Sequence, residues 1–337
     1  MMCRAILWSQ ISWWFNSPKS SYKIYNEKKY CLITNDVETT TISTNRLSDK
    51  TGERVLKEGM PKLLELYNKF NIRATFFFTG YIAKKFPEVV RMVIPYNHEI
   101  GSHGFTHEVD KAFDVLNLKD QIKYLDKSKK ILEDISNQEV VSFRAPALRT
   151  NQYTALALAK TGFLIDSSIA SQRFDMLLSY GSIKKLKWLT APRLPYITKK
   201  DNLMEAGNGL IYEIPISALW LPYIGTTLRM SPTLIKVLRY ILNIEAGYNG
   251  KPIVFLIHPN ELLDETNNIK NVHRRSNNIF SYIFYDLIRS KLKMRNLGQK
   301  AIPLYKSELM YFVKEKYKFL TLKQYYNITI KPLSKDR

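Results

Sequence analysis

Residues 55–80 read VLKEGMPKLLELYNKFNIRATFFFTG, and their pattern decides the fold class. Leu56, Met60, Leu63, Leu64, Tyr67 and Phe70 recur at helical spacing, which predicts a helix with one apolar face. Residues 73–79 (RATFFFT) follow as a short apolar strand closed by Gly80. The same alternation extends in both directions. Residues 29–34 read as a strand ending in a polar cluster. Leu118, Ile122, Leu125, Leu132 and Ile135 predict another helix, with Asn117 as its cap. Residues 140–144 read as a strand, and 150–160 as a helix stopped by Gly162, the usual left-handed residue after a helix. Residues 163–165 and 252–257 are further strands. Buried strands alternating with helices predict one α/β domain built on a parallel sheet or barrel. No Gly/Ser linker, repeat or low-complexity tract divides it.

The composition agrees with a globular chain. With 45% hydrophobic and 24% charged residues among 337, disordered, collagenous and disulfide-scaffold classes are excluded. The net charge is +21, and 16 basic against 4 acidic residues in 268–337 place +12 of it there. A basic field of this kind suits nucleic acid, anionic lipid or an anionic substrate, and says nothing about fold. Cys3 and Cys31 make neither a disulfide framework nor a thiolate zinc site, so a reducing compartment is expected, with Cys31 a small core residue. No window reaches about 18 consecutive apolar residues, so no ordinary membrane-spanning helix is expected. Residues 1–15 are apolar and contain Trp8, Trp13 and Trp14, but are short for a span and lack a small-residue cleavage site. They read as a segment packed on the domain or frayed, rather than as a signal peptide.

In α/β folds chemistry collects at the carboxyl ends of the strands. The polar residues there are Asn35, Asp36 and Glu38 after the first strand, and Arg144 after 140–143. Asp166, Ser167 and Ser168 follow 163–165, and His258 follows 253–257. The strongest local signal is His103-Gly-Phe-Thr-His107. Two imidazoles four residues apart share a face if the segment is helical, and then two nitrogens can reach one ion at about 2.0–2.1 Å. Such a pair needs a third ligand, and Asp36-Val37-Glu38 can supply it. In extended chain both carboxylates face one side while Val37 points into the core. Two acids this close resist double ionisation unless a cation neutralises one, leaving the other as a base. Two histidines, a carboxylate and an open position fit catalytic zinc, and equally iron, cobalt or manganese. His98 is expected to be structural and His273 solvated.

The order of these motifs resembles the polysaccharide deacetylase family, carbohydrate esterase family 4, with its NodB homology domain. NDVET (35–39) resembles its first motif, ATFFFTG (74–80) the next strand, and HEIGSHGFTH (98–107) its metal-binding histidine motif. FRAPALR (143–149) resembles the Arg-x-Pro motif, FLIDSSI (163–169) the following strand, and FLIHPNEL (255–262) the motif with the catalytic histidine. The resemblance runs to KFLTLKQYY (318–326) and implies a distorted (β/α)7 barrel over 29–327, with an N-terminal extension at 1–28 and a basic tail at 328–337. The commoner first motif has adjacent aspartates. Here Val37 separates Asp36 from Glu38, a form similar to the branch of peptidoglycan deacetylase-like proteins and the deformylase of lipid-linked aminoarabinose.

The resemblance implies one divalent transition metal, Zn2+ before Co2+, Mn2+, Ni2+ or Fe2+, held by Glu38, His103 and His107. It implies Asp36 as base, although the longer glutamate allows the two carboxylates to exchange roles. His258 is implied as the acid on the leaving amine, and Arg144 as the partner of Asp36. Asp166 is expected to pair with His258 and hold its tautomer. The N–H of Ala147 is expected to face the oxyanion. The segment 213–232 (EIPISALWLPYIGTTLRMSP) resembles a substrate-side loop, where Trp220 and Tyr223 can stack on a sugar ring.

The activity implied is removal of N-acetyl groups from a sugar or polysaccharide. A deformylase or other amidohydrolase acting on a lipid-linked or small amide is the alternative, and an inactive glycan-binding member a third reading. Nucleic acid is not an expected partner, because no binding motif accompanies the charge. The run Arg289, Lys291, Lys293, Arg295 and Lys300 suits contact with an anionic membrane, so the expected location is cytoplasmic, peripheral on the inner membrane face.

Overall fold

Alternation in YCLITNDV builds the first strand, β1 (Tyr30–Val37), and sets the two faces of the whole sheet. The computed structural model describes residues 28–44, 46–173, 188–265 and 288–330. Trp8, Trp13, Trp14, Cys3, His273 and the end of the basic tail, 331–337, lie outside these residues. The strands that follow are β2 (Thr75–Phe78), β3 (Glu99–Ser102), β4 (Ser142–Phe143), β5 (Ile165–Asp166), β6 (Tyr196–Lys199), β7 (Asn202–Ala206) and β8 (Tyr212–Glu213). After them come β9 (Ala218–Leu219), β10 (Leu221–Pro222), β11 (Ile253–Ile257) and β12 (Lys318–Phe319).

The order β11-β1-β2-β3-β4-β5-β8 is parallel at every pairing. Beyond β8 the antiparallel β6 and β7 end the path, so the barrel is curled but open between β7 and β11. This is the expected distorted (β/α)7 barrel. Helices fill the crossovers: Met60–Lys69 before β2, Leu118–Ser136 before β4, Thr154–Lys160 before β5 and Pro232–Asn249 before β11. Asn117 caps the second of these, its side-chain oxygen accepting from the Asp120 N–H, and Gly162 takes φ 72° after the third.

The outer face of the strands carries Cys31, Ile33, Val37, Phe76, Phe78, Ile253 and Phe255 into the larger core beneath the helices. The inner face carries Leu32, Phe77, Ile165, Tyr212 and Val254 into a second cluster inside the barrel. Gly101 leaves room for it: a Cβ there would lie 2.6 Å from the Phe77 ring. The helix Leu322–Thr329 plugs the amino end of the barrel with Leu322 and Tyr325. Its orphan amides are satisfied by the strands, since Leu322 N–H donates to Thr75 Oγ1 (3.0 Å) and Lys323 N–H to Glu99 Oε2 (2.9 Å).

β2 and β4 are shorter than the sequence reading, whereas β1 and β5 end later than it places them. β1 continues through Asn35, Asp36 and Val37, and β5 includes Asp166, so these polar residues belong to the ladder rather than following it. Asn35 falls on the outer face, accepting from Tyr67 Oη at 2.6 Å, and takes no part in the strand-end set. The final helix runs past the expected domain end at 327.

Candidate active site

Leu32, Thr34 and Asp36 share the inner face of β1, and the inner surface turns from apolar to acidic in that order. Arg144, fully buried just beyond β4, lies over the Phe77 ring with its guanidinium carbon 4.5 Å from the centroid. All three of its nitrogens are engaged in the barrel: Nη1 reaches Asp36 Oδ1 (3.0 Å) and Thr34 Oγ1 (2.9 Å), Nη2 reaches Ser167 Oγ (2.8 Å), and Nε the Ser167 carbonyl (2.8 Å). Burial pushes the Asp36 carboxyl upward, but Arg144, His103 and His258 outweigh it and hold it below the usual carboxylate range. Asp36 is therefore an ionised carboxylate with Oδ1 tied to Arg144. Its Oδ2 lies 3.9 Å from His103 Nε2 and 3.8 Å from His258 Nε2.

His103 follows β3 on the same inner face. Its Nδ1 is 2.8 Å from the Arg144 carbonyl oxygen, which can only accept, so Nδ1 carries the proton and Nε2 presents a lone pair. Burial holds this imidazole below its ordinary pKa, against the raising effect of Asp36 and Glu38. The segment from His103 to His107 is not a helix, so the two imidazoles do not meet through a shared helical face. Gly104 at φ 66° turns the chain where a Cβ would meet the Phe113 ring at 2.9 Å, and the two rings then converge to 5.8 Å between centroids.

Glu38, just past β1, completes the group. Its Oε2 is 3.1 Å from His107 Nε2 and accepts from Thr40 Oγ1 at 3.0 Å. One ligand atom from each of Glu38, His103 and His107 lies within 4.8 Å of the others. An ion about 2.0–2.1 Å from tetrahedral donors sets them roughly 3.4 Å apart, so two imidazoles and a carboxylate in this arrangement fit a divalent transition metal. Asp36 stands beside this group rather than in it.

Two expected placements are corrected. Asp166 does not pair with His258: its carboxylate accepts from Ser168 Oγ (2.6 Å) and lies against Glu213, its register partner on β8. Burial pushes both carboxyls upward, and Glu213 well above its ordinary value because the charge of Asp166 adds to the effect. Tyr223 is not a sugar platform. It is fully buried against Phe255 and Phe312, and its hydroxyl donates to Glu308 at 2.6 Å. His98 is structural as expected, packed against Phe76 and accepting from the Ala74 N–H, with burial lowering its pKa to about 4. Trp220, by contrast, is half exposed, at φ 59°. Ala147 (φ 52°) and Leu148 (φ 54°) form a left-handed turn directly after the Arg144 carbonyl that orients His103.

The residue that faces His258 Nδ1 is Glu261, 3.8 Å away. It is buried and bound to Arg229 Nη2 (3.0 Å), Thr226 Oγ1 (2.5 Å) and the Tyr305 hydroxyl. Burial raises its pKa, but Arg229 and His258 outweigh this and keep it below the ordinary range. Its only sequence signal was the three-residue spacing in His-Pro-Asn-Glu, which by itself selects nothing.

Residues 28–165 match the family model described as polysaccharide deacetylase. The chain is 31% identical over 116 residues to a peptidoglycan deacetylase of Helicobacter pylori, covering 34% of this chain and 39% of that protein. It is 30% identical over 131 residues to a peptidoglycan deacetylase-like protein of Gibberella zeae, covering 38% of each. The chain thus spans about two fifths of the length of these relatives. A crystal structure described as a "probable polysaccharide deacetylase" from Pseudomonas aeruginosa superposes with a TM-score of 0.55 at 13% identity, over 93% of this chain and 99% of that one, which shows a shared fold. Residues 28–165, which carry Asp36, Glu38, His103, His107 and Arg144, are thus the part of this chain that is similar to the polysaccharide deacetylase family.

Proposed function

We propose that the protein is a metal-dependent carbohydrate N-deacetylase that removes N-acetyl groups from a glycan. The observation that carries this reading is the convergence of Glu38, His103 and His107 on one point beside the Asp36–Arg144 pair. Glu38, His103 and His107 would hold the ion, Zn2+ first among Co2+, Mn2+, Ni2+ and Fe2+ by donor type. A divalent ion there supplies Lewis acidity towards the amide carbonyl and lowers the pKa of a water.

The side chains do the proton work. Asp36, kept ionised by Arg144, takes a proton from the attacking water at Oδ2, the oxygen that Arg144 leaves open. His258, on the other side of that oxygen, donates from Nε2 to the leaving nitrogen, with Glu261 facing its Nδ1. The Ala147 N–H lies on the turn that follows Arg144, whose carbonyl orients His103, and is assigned to the developing oxyanion. Trp220 supplies an exposed aromatic face for a sugar ring. The peptidoglycan deacetylases among its relatives favour an N-acetylated glycan over a small amide.

Metal analysis of the purified chain, with acetate and formate release from a panel of acylated sugars, tests the proposal. Stoichiometric metal and acetate release are expected, and His103→Ala should lose both metal and at least about 100-fold in rate. A chain that takes up no transition metal on reconstitution, or a His103→Ala variant of undiminished rate, removes the proposal. Formate release in place of acetate moves the reaction to a deformylase.

A further inference from the structure

The helix Pro232–Asn249 carries two apolar rows and buries one. Ile235, Leu238, Leu242 and Ala246 pack into the main core. Leu234, Val237, Ile244 and Tyr248 form the second row, about a third of a turn round the helix, with Tyr240 beside it. These five residues are between 44% and 64% exposed. Single exposed apolar side chains are ordinary, but a row running most of an 18-residue helix, about 27 Å long, marks an interaction surface.

The charge around this row is mainly basic, and the acid on its flank, Glu315, is paired with Lys29 (3.9 Å), which itself donates to Asn243 of the helix. Glu245 is the only acid of the helix and is buried between Arg193 (2.6 Å) and Lys251 (3.0 Å), and Arg239 is paired with Glu308 (2.8 Å), so the exposed charge of the helix is that of Lys236. At the amino-terminal end, Arg229 Nη1 donates to the carbonyls of Lys293 (2.7 Å) and Arg295 (2.8 Å) and fixes segment 288–300 nearby. That segment contains no acidic residue and exposes Lys291, Arg295 and Lys300.

We propose that the exposed face of helix Pro232–Asn249, with the basic segment at its end, is a docking surface for an anionic lipid bilayer. Leucine, valine and isoleucine side chains enter the acyl boundary, tyrosines lie at head-group level, and the cations meet lipid phosphates. The excess of positive charge, +21 for the chain, argues against a second copy, since face-to-face pairing brings two basic surfaces together.

The test is co-sedimentation of the full chain with phosphatidylcholine vesicles, with and without about a third phosphatidylglycerol. Binding to the anionic vesicles alone is expected, falling several-fold between about 50 mM and about 500 mM salt. Val237→Glu/Ile244→Glu should lower the bound fraction about tenfold, whereas the equally charged control Val109→Glu/Leu156→Glu should change it less than about twofold. Val237→Ser/Ile244→Ser gives the same direction without new charge and separates lost docking from lost folding. Equal binding to neutral vesicles, or full binding by both helix variants, overturns the proposal. So does a concentration-dependent dimer that Val237→Glu/Ile244→Glu dissociates, which would assign the face to self-association.

Discussion

Glu261 stands between His258 on one side and the Arg229 guanidinium on the other. Arg229 is fully buried, and Glu261 is its only acidic partner among the described residues. Removing the carboxylate charge strands that guanidinium, so Glu261→Gln should destabilise the fold by about 3–5 kcal/mol in urea unfolding. Adding Arg229→Met should restore more than half of the loss, because the stranded charge leaves with its partner. Additive losses in the double variant would show that the two residues do not act as a pair. The same geometry explains why Asp166 is the wrong tether for His258: its side chain serves Ser168 and Glu213, under Arg144.

At the scale of elements, parity along the strands decides what the site contains. Leu32, Thr34 and Asp36 face inward because a strand repeats every two residues, and Phe77 on β2 supports Arg144 from below for the same reason. The amino end of the barrel is closed by a helix whose start is doubly capped: Thr321 accepts from the Gln324 N–H, and Gln324 Oε1 accepts from the Thr321 N–H. Thr321→Ala should therefore cost about 1 kcal/mol in chemical denaturation. Thr321→Asp should restore most of that cost, and no loss in the alanine variant would mean that Thr75 and Glu99 alone hold the helix.

Across the whole molecule, Glu245 joins distant parts of the chain by binding Arg193 through both oxygens and Lys251 at the start of β11. Burial opposes its ionisation, but Lys251 and Arg193 outweigh burial and lower its pKa to about 2. Unfolded glutamate titrates near about 4.3, so as pH falls the unfolded state takes up the proton first. The stability supplied by Glu245 is thus present above about pH 4.3 and lost as pH falls towards about 2. The difference in Tm between the wild type and Glu245→Gln should be constant near neutrality and narrow from about pH 4.5 to about pH 3. A difference that does not change over that range would contradict the assignment.

What was legible from the sequence was whatever repeats locally. The helix over 60–69, the buried strand at 75–78 and the Asn117 cap follow from spacing and side-chain chemistry a few residues apart. The facing of Asp36 and Glu38 to one side followed in the same way, from the two-residue period of a strand. Placing His103 and His107 with Glu38 required the motif order as well, since the loop that joins the two histidines is irregular and no period predicts it.

Only the tertiary structure decided the partners separated by long stretches of chain. Tyr223 sits in a segment that suited a sugar platform, yet it is buried because Phe255, Phe312 and Glu308 come from two other elements to enclose it. His258 meets Glu261 rather than Asp166 because the backbone turns into a 3-10 helix at Pro259, which brings the third residue round to its Nδ1. The sequence by itself determined the α/β alternation and the strand faces, both set by local sterics and periodicity. The assignment of each buried charge to its partner was left to the closing of the barrel, because a desolvated charge is stabilised by whichever opposite charge the fold brings to it.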